Sequence, residues 1–152
     1  MRIASSVEYA TRIMLRLSSL EAGATTTGES LSRQERIPRD YVNQLLMRLR
    51  RAGLVTSLRG VRGGYRLARP ASEISVGTLV RAVDKGVFEA ACERYSVRSH
   101  RCAHEGACGI RPVWQRLGEL VEGFLDGVTL SRLRDEEAFA RPAASCGRPR
   151  KG

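Results

Sequence analysis

The sequence predicts a mainly α-helical chain with one small β-hairpin, and three observations carry that reading. Apolar residues recur at three- and four-residue steps over several separate segments, as one face of a helix requires. The stretch "LVTSLRGVRGGYRLAR", residues 54 to 69, instead alternates and holds glycines at its centre, the pattern of two short strands and a turn. A length of 152 residues, 42% of them hydrophobic, suits one cored domain or a small domain with an extension.

The elements follow in order. Val7, Ala10, Ile13, Met14, Leu17 and Leu20 form one apolar face, so a first helix should pack inward and end by Gly23. Thr26 and Glu29 have capping-box spacing and should open a short second helix to about Arg36, with Gly28 weakening its first turn. Ile37-Pro38 breaks the chain. A third helix runs from Pro38 to about Ala52, burying Val42, Leu45, Leu46 and Leu49 and stopping at Gly53. Its opposite face shows Asn43, Gln44, Met47 and Arg51, flanked by Arg48. Val55 and Leu58 precede the hairpin turn, and Tyr65 and Leu67 follow it. "SVGTLVRAVD", residues 75 to 84, reads as a connecting helix, and the apolar periodicity from Val113 to Val128 as a C-terminal helix. The tail from about Glu136, with Pro142, Pro149 and scattered arginines, is expected to be disordered.

Charge narrows the function. The formal net charge is +10, carried almost wholly by arginine, since Lys85 and Lys151 are the lysines. Between Arg39 and Arg69 lie eight arginines and a single acid, Asp40, which makes a local basic surface suited to a polyanion. Two helices joined by a tight turn, the second presenting amides and guanidiniums, form a helix-turn-helix pattern. Asn and Gln can pair with adenine and Arg with guanine in the major groove. Arg59 and Arg62, at the hairpin tip, would reach backbone phosphates or a minor groove beside that helix. The candidate DNA contacts are therefore Arg39, Tyr41, Asn43, Gln44, Arg48, Arg51, Arg59 and Arg62. No apolar run approaches the roughly 20 residues of a membrane span, and neither an apolar core nor a cleavage site supports reading Arg2, Arg12 and Arg16 as part of a targeting peptide. A cytoplasmic location is expected. No phosphate-cradling loop and no Ser/His/Asp arrangement points to an enzyme or to a small organic substrate.

Val113, Trp114, Leu117, Leu120, Val121, Phe124, Leu125 and Val128 make an apolar stripe with near-heptad steps, too wide for the small basic domain to cover. One edge should pack within the chain and the other across a twofold axis, with Trp114, Leu117, Val121, Phe124 and Val128 at the dimer contact.

"CERYSVRSHRCAHEGACG", residues 92 to 109, gathers three of the four cysteines and both histidines. Clustered cysteines in a reducing compartment more often serve metal or redox chemistry than disulfides. Thiolates are soft ligands for zinc or iron–sulfur clusters, and the intervening Gly106 and polar residues let a loop wrap a metal centre.

The stretch "YVNQLLMRLRRAGLVTSLRGVRGGYRLARP" resembles the winged-helix segment of the family of bacterial repressors that includes IscR and NsrR. "MRIASSVEYATRIMLRL" is similar to that family's first helix, and "CGIRPVWQRLGELVEGFLDGVTLSRL" to its long C-terminal helix, so the resemblance covers Met1 to about Leu133. It implies a homodimer, binding to a palindromic operator and an iron–sulfur cluster, [2Fe-2S] or [4Fe-4S], whose state governs binding. Cys102 and Cys108 match the family's last two cysteine ligands; Cys92 precedes them by a longer gap than is usual. Arg111 stands where the IscR branch carries a histidine ligand, and a cation offers no lone pair. Glu8 stands where NsrR-like members carry a ligating aspartate, so it ranks as fourth ligand above His104 and His100; Cys146 lies outside the match.

The expected organisation is a winged helix-turn-helix domain over residues 1–70, a connecting helix over 71–85, a cluster loop over 86–111, a dimerisation helix region over 112–135 and a tail over 136–152. Two other readings compete. One is a zinc-stabilised or metal-free DNA binder without a sensing role; the other is a small iron–sulfur redox or carrier protein, which would have no use for the arginine hairpin.

Overall fold

The computed structural model describes residues 3–60, 63–84 and 108–140. It is mainly helical with a two-stranded antiparallel hairpin. Helix α1, Ser5–Ser18, turns Val7, Ala10, Ile13, Met14 and Leu17 into the core, the periodic face read from the sequence. It ends at Ser18, ahead of Gly23, as Ser19 N–H closes on the Leu15 and Arg16 carbonyls.

Helix α2, Gly28–Glu35, starts one residue later than its expected cap. Thr27 is the N-cap, with Oγ1 accepting from Ser30 N–H at 3.1 Å. Thr26 is used differently: it pairs with Tyr65 through Thr26 N–H to Tyr65 O (3.1 Å) and Tyr65 N–H to Thr26 O (2.8 Å). The Thr26 backbone thus belongs to the ladder, and the residue after it takes the cap. Helix α3, Arg39–Arg51, follows Pro38 and buries Val42, Leu45, Leu46 and Leu49, each worth ~1.5–3 kcal/mol on transfer from water.

Strands β1, Val55–Leu58, and β2, Gly64–Leu67, pair with Val55 opposite Leu67 and Leu58 opposite Gly64. A side chain at 64 would bring its Cβ to 2.7 Å from Thr26 O, so glycine is what lets the hairpin close on the Thr26 segment. A 3₁₀ turn, Ala71–Glu73, leads to helix α4, Val76–Val83, capped by Ser75 Oγ accepting from Thr78 N–H at 3.1 Å.

The C-terminal region differs from the expected single long helix. Helix α5, Arg111–Asp126, stops, and a second helix, α6, Leu130–Ala140, begins after Gly127, Val128 and Thr129. The break is stitched to the body: Val76 N–H donates to Val128 O and Leu130 N–H to Ile74 O, both at 2.8 Å, and Leu130 is buried. Apolar periodicity runs through this bend, which is why the sequence alone reads as continuous. Residues 136–140, expected to be disordered, extend α6; the rest of the tail lies outside the described residues. No helix among the described residues is long and apolar enough to cross a membrane.

Candidate nucleic-acid interface

With Val42, Leu45, Leu46 and Leu49 buried, helical geometry turns Asp40, Gln44, Met47 and Arg51 away from the core. All four are exposed, as are Arg39 in the first turn and Asn43 on the flank. Met47, 49% exposed, stands between Gln44 and Arg51 along this stripe and belongs with the candidate contacts; its helical spacing puts it on this face. Asn43 lies directly over the start of α2. A Cβ at Gly28 would fall 2.9 Å from Asn43 Oδ1, so the glycine that weakens the first turn of α2 also admits the side chain of α3. That reason was not legible in the sequence, where Gly28 registers only as a helix-propensity cost.

Two of the predicted contacts also have partners within the chain. Tyr41 is half-buried, its ring edge-to-face on Tyr9 with centroids 5.8 Å apart, locking α3 to α1. Arg48 donates from Nη1 to the Val83 carbonyl at 2.8 Å, a bond from α3 to the C-terminal end of α4. It lies on the flank of α3 turned towards α4 and is exposed, so the guanidinium braces α4 from the edge of the outward surface. Arg50 similarly holds the hairpin, donating to Ser57 Oγ at 3.1 Å. Arg59, at the end of the first strand, is exposed, and Arg62 lies outside the described residues. The exposed amides and guanidinium of the α3 stripe are suited to base edges, and the exposed guanidinium of Arg59 to phosphates.

A family model described as Rrf2, iron-dependent transcriptional regulator, matches residues 3–136. The chain belongs to the Rrf2 family of transcriptional regulators. It is 35% identical over 133 residues to the HTH-type transcriptional regulator IscR of Serratia proteamaculans, covering 88% of this chain and 79% of the relative. It is 36% identical over 134 residues to IscR of Escherichia coli, covering 88% and 80%. Among solved structures, T. potens IscR superposes with a TM-score of 0.75 at 25% identity, covering 94% of this chain and 93% of that one. CymR, described as the global cysteine regulator of B. subtilis, superposes at 0.73 with 26% identity, covering 90% and 98%. As an Rrf2 regulator the protein is not an enzyme.

The Rrf2 chain's ligand candidates divide at the described boundary. Cys92 and Cys102, with the rivals His100 and His104, lie outside the described residues, and so does Cys146. Cys108 is half-buried, free of any disulfide, and sits just ahead of α5. A reduced, accessible thiol of this kind fits a thiolate ligand. Glu8 fits less directly. It projects from α1 into solvent, where its Oε1 accepts from Arg12 Nη2 at 2.6 Å, so a metal would have to take the other carboxylate oxygen or displace Arg12. No group of three His, Cys, Asp or Glu residues among the described ones could hold a metal ion.

On α5 no residue is buried, and Val113, Trp114, Leu117, Leu120 and Phe124 are exposed, Phe124 by 71%. Val121 is half-buried on the same helix. Val128, expected on this stripe, lies beyond the end of α5, half-buried in the connection that pairs with α4.

Proposed function

We propose that this protein is a homodimeric repressor that binds a palindromic operator in the bacterial cytoplasm, with an iron–sulfur cluster that adjusts its affinity. The observation that carries the reading is the outward stripe of α3, Asn43, Gln44, Met47 and Arg51, with Arg59 exposed at the hairpin, in a chain of the Rrf2 family. Gln44 and Asn43 read base edges; Arg39, Arg59 and Arg62 bind phosphates. The exposed apolar stripe of α5 packs on its copy in a second chain, which sets the two α3 helices at a fixed separation on one face of the duplex.

Cys92, Cys102 and Cys108 hold the cluster as thiolates, and Glu8 is the fourth ligand. When bound, the cluster supplies a centre that reacts with oxidants or nitric oxide and reports iron supply. The chain's own residues connect that region to the DNA surface. Arg48 of α3 holds the Val83 carbonyl, and Ser6 of α1 donates from Oγ to Asp84 Oδ2 at 3.3 Å. Val83 and Asp84 are the last described residues before the segment that carries Cys92 and Cys102. A change in how that segment is held is thus passed to α3 through Arg48 and to α1 through Ser6.

A second reading, a zinc-stabilised or metal-free regulator, draws support from structural likeness to CymR as close as that to IscR, since the fold alone does not set what is sensed. The experiment is purification without oxygen, with absorption spectra and iron, sulfide and zinc analysis, followed by selection of a duplex from a random pool. Visible charge-transfer bands with stoichiometric iron and sulfide, and a palindromic consensus, are expected. Colourless protein with stoichiometric zinc would replace the sensing role with a structural one.

A further inference from the structure

We infer that Arg36, in the turn joining α2 to α3, is a contact to the phosphodiester backbone of double-stranded DNA; the inference rests on the DNA-binding reading above and adds a residue to it. Among the described residues Arg36 is the one non-glycine residue with positive φ, at φ 56° and ψ 40°. The turn requires that conformation. Arg36 N–H ends α2 on the Ser32 carbonyl, Ile37 N–H donates to the same carbonyl at 3.1 Å, and Ser32 Oγ donates to Ile37 O at 2.6 Å. Ile37 itself is 2% exposed in the core, so the backbone is fixed from both sides.

Glycine takes this conformation without a steric penalty, and Asn or Asp offset it through local hydrogen bonds; arginine does neither. The fold therefore gives no reason for arginine at 36. Its guanidinium is exposed, and the acids of α2 are already engaged, Glu29 with Arg33 at 3.0 Å and Glu35 with Arg16 at 2.9 Å. That leaves Arg36 and, three residues on, Arg39 without an ion-pair partner among the described residues. In a helix-turn-helix the first helix crosses the DNA backbone and the start of the second enters the major groove. The turn between them then lies over the phosphates at the lip of the groove, where a cation contributes affinity without sequence information.

The test uses the full chain, a duplex selected by the wild-type protein and an unrelated duplex of equal length, titrated over a range of salt concentrations beside thermal melts. Arg36→Gly should raise Tm by a few degrees and weaken binding to both duplexes several-fold. Its plot of log affinity against log salt should be shallower by about 0.9 per protomer. Arg36→Ala should show the same weakening without the gain in Tm, and Arg36→Lys should keep the wild-type salt slope. Wild-type affinity and slope in Arg36→Gly, beside reductions of both in Arg59→Ala, would overturn the assignment. Failure of the wild-type protein to bind either duplex would overturn the DNA-binding reading, and this inference with it.

Discussion

Arg81 and Asp126 form a two-point ion pair, Nη2 to Oδ1 at 2.7 Å and Nη1 to Oδ2 at 3.2 Å, that fastens α4 to the last residue of α5. Ser75 Oγ adds a third bond to Oδ1 at 3.3 Å, and the absence of a side chain on Gly77 leaves room for the carboxylate. Since α5 carries the exposed apolar stripe, this clasp helps to set the angle at which a second copy would be met.

Hydrogen bonds from Arg81 hold the Asp126 carboxyl below the usual carboxylate range, and the same bonds push Arg81 further up, so that it stays charged throughout. A depressed carboxyl pKa contributes stability that is present above the unfolded value and fades as pH falls through the folded one. Both side chains are nearly half exposed, so solvent screening limits the effect to about 0.5–1 kcal/mol. Asp126→Asn should lower the urea midpoint at pH 7, and the difference from wild type should shrink towards zero in strong acid.

Gly28→Ala should separate stability from recognition. Alanine adds up to about 1 kcal/mol of helix propensity, yet its Cβ crowds Asn43 Oδ1 and displaces that side chain. Chemical denaturation should show stability retained, while competition between selected and unrelated duplexes shows reduced discrimination.

Groups that read bases and groups that hold phosphates should fail differently. Gln44→Ala and Arg51→Ala should each reduce preference for the selected duplex by ~1–3 kcal/mol for every base edge left unread. Arg59→Ala should instead weaken all duplexes alike and flatten the salt dependence, because phosphate contacts release counterions whatever the base. Titrations on both duplexes at several salt concentrations distinguish the two.

Phe124→Glu places a charge at the C-terminal end of the α5 stripe and should dissociate the dimer, with operator affinity falling alongside. Sedimentation velocity at micromolar concentration reads the first effect. Since Phe124 is 71% exposed within one chain, the monomer should keep its helical circular dichroism.

The fold was largely legible because its signals are local. Val42, Leu45, Leu46 and Leu49 repeat at helical spacing, and Gly60, Gly63 and Gly64 mark the hairpin. What the sequence does not show are pairings with a distant neighbour. Thr26 has capping-box spacing yet pairs with Tyr65, 39 positions on, and Arg48 of α3 reaches the Val83 carbonyl. The break at Gly127–Thr129 follows from pairing with Ser75, which periodicity cannot register. Of the ligand candidates, Cys108 and Glu8 are placed, and Glu8's partner Arg12 is an i,i+4 neighbour that helical spacing could have flagged.

Control of DNA affinity by the cysteine segment stands or falls on anaerobic titration of the selected palindromic duplex by wild-type protein and by Cys108→Ala. Iron and sulfide should be stoichiometric in the first and largely absent from the second. The two dissociation constants should then differ by about 5–150-fold, the range of a coupling free energy of ~1–3 kcal/mol. Equal dissociation constants, with iron and sulfide present in one protein and absent from the other, would refute that control.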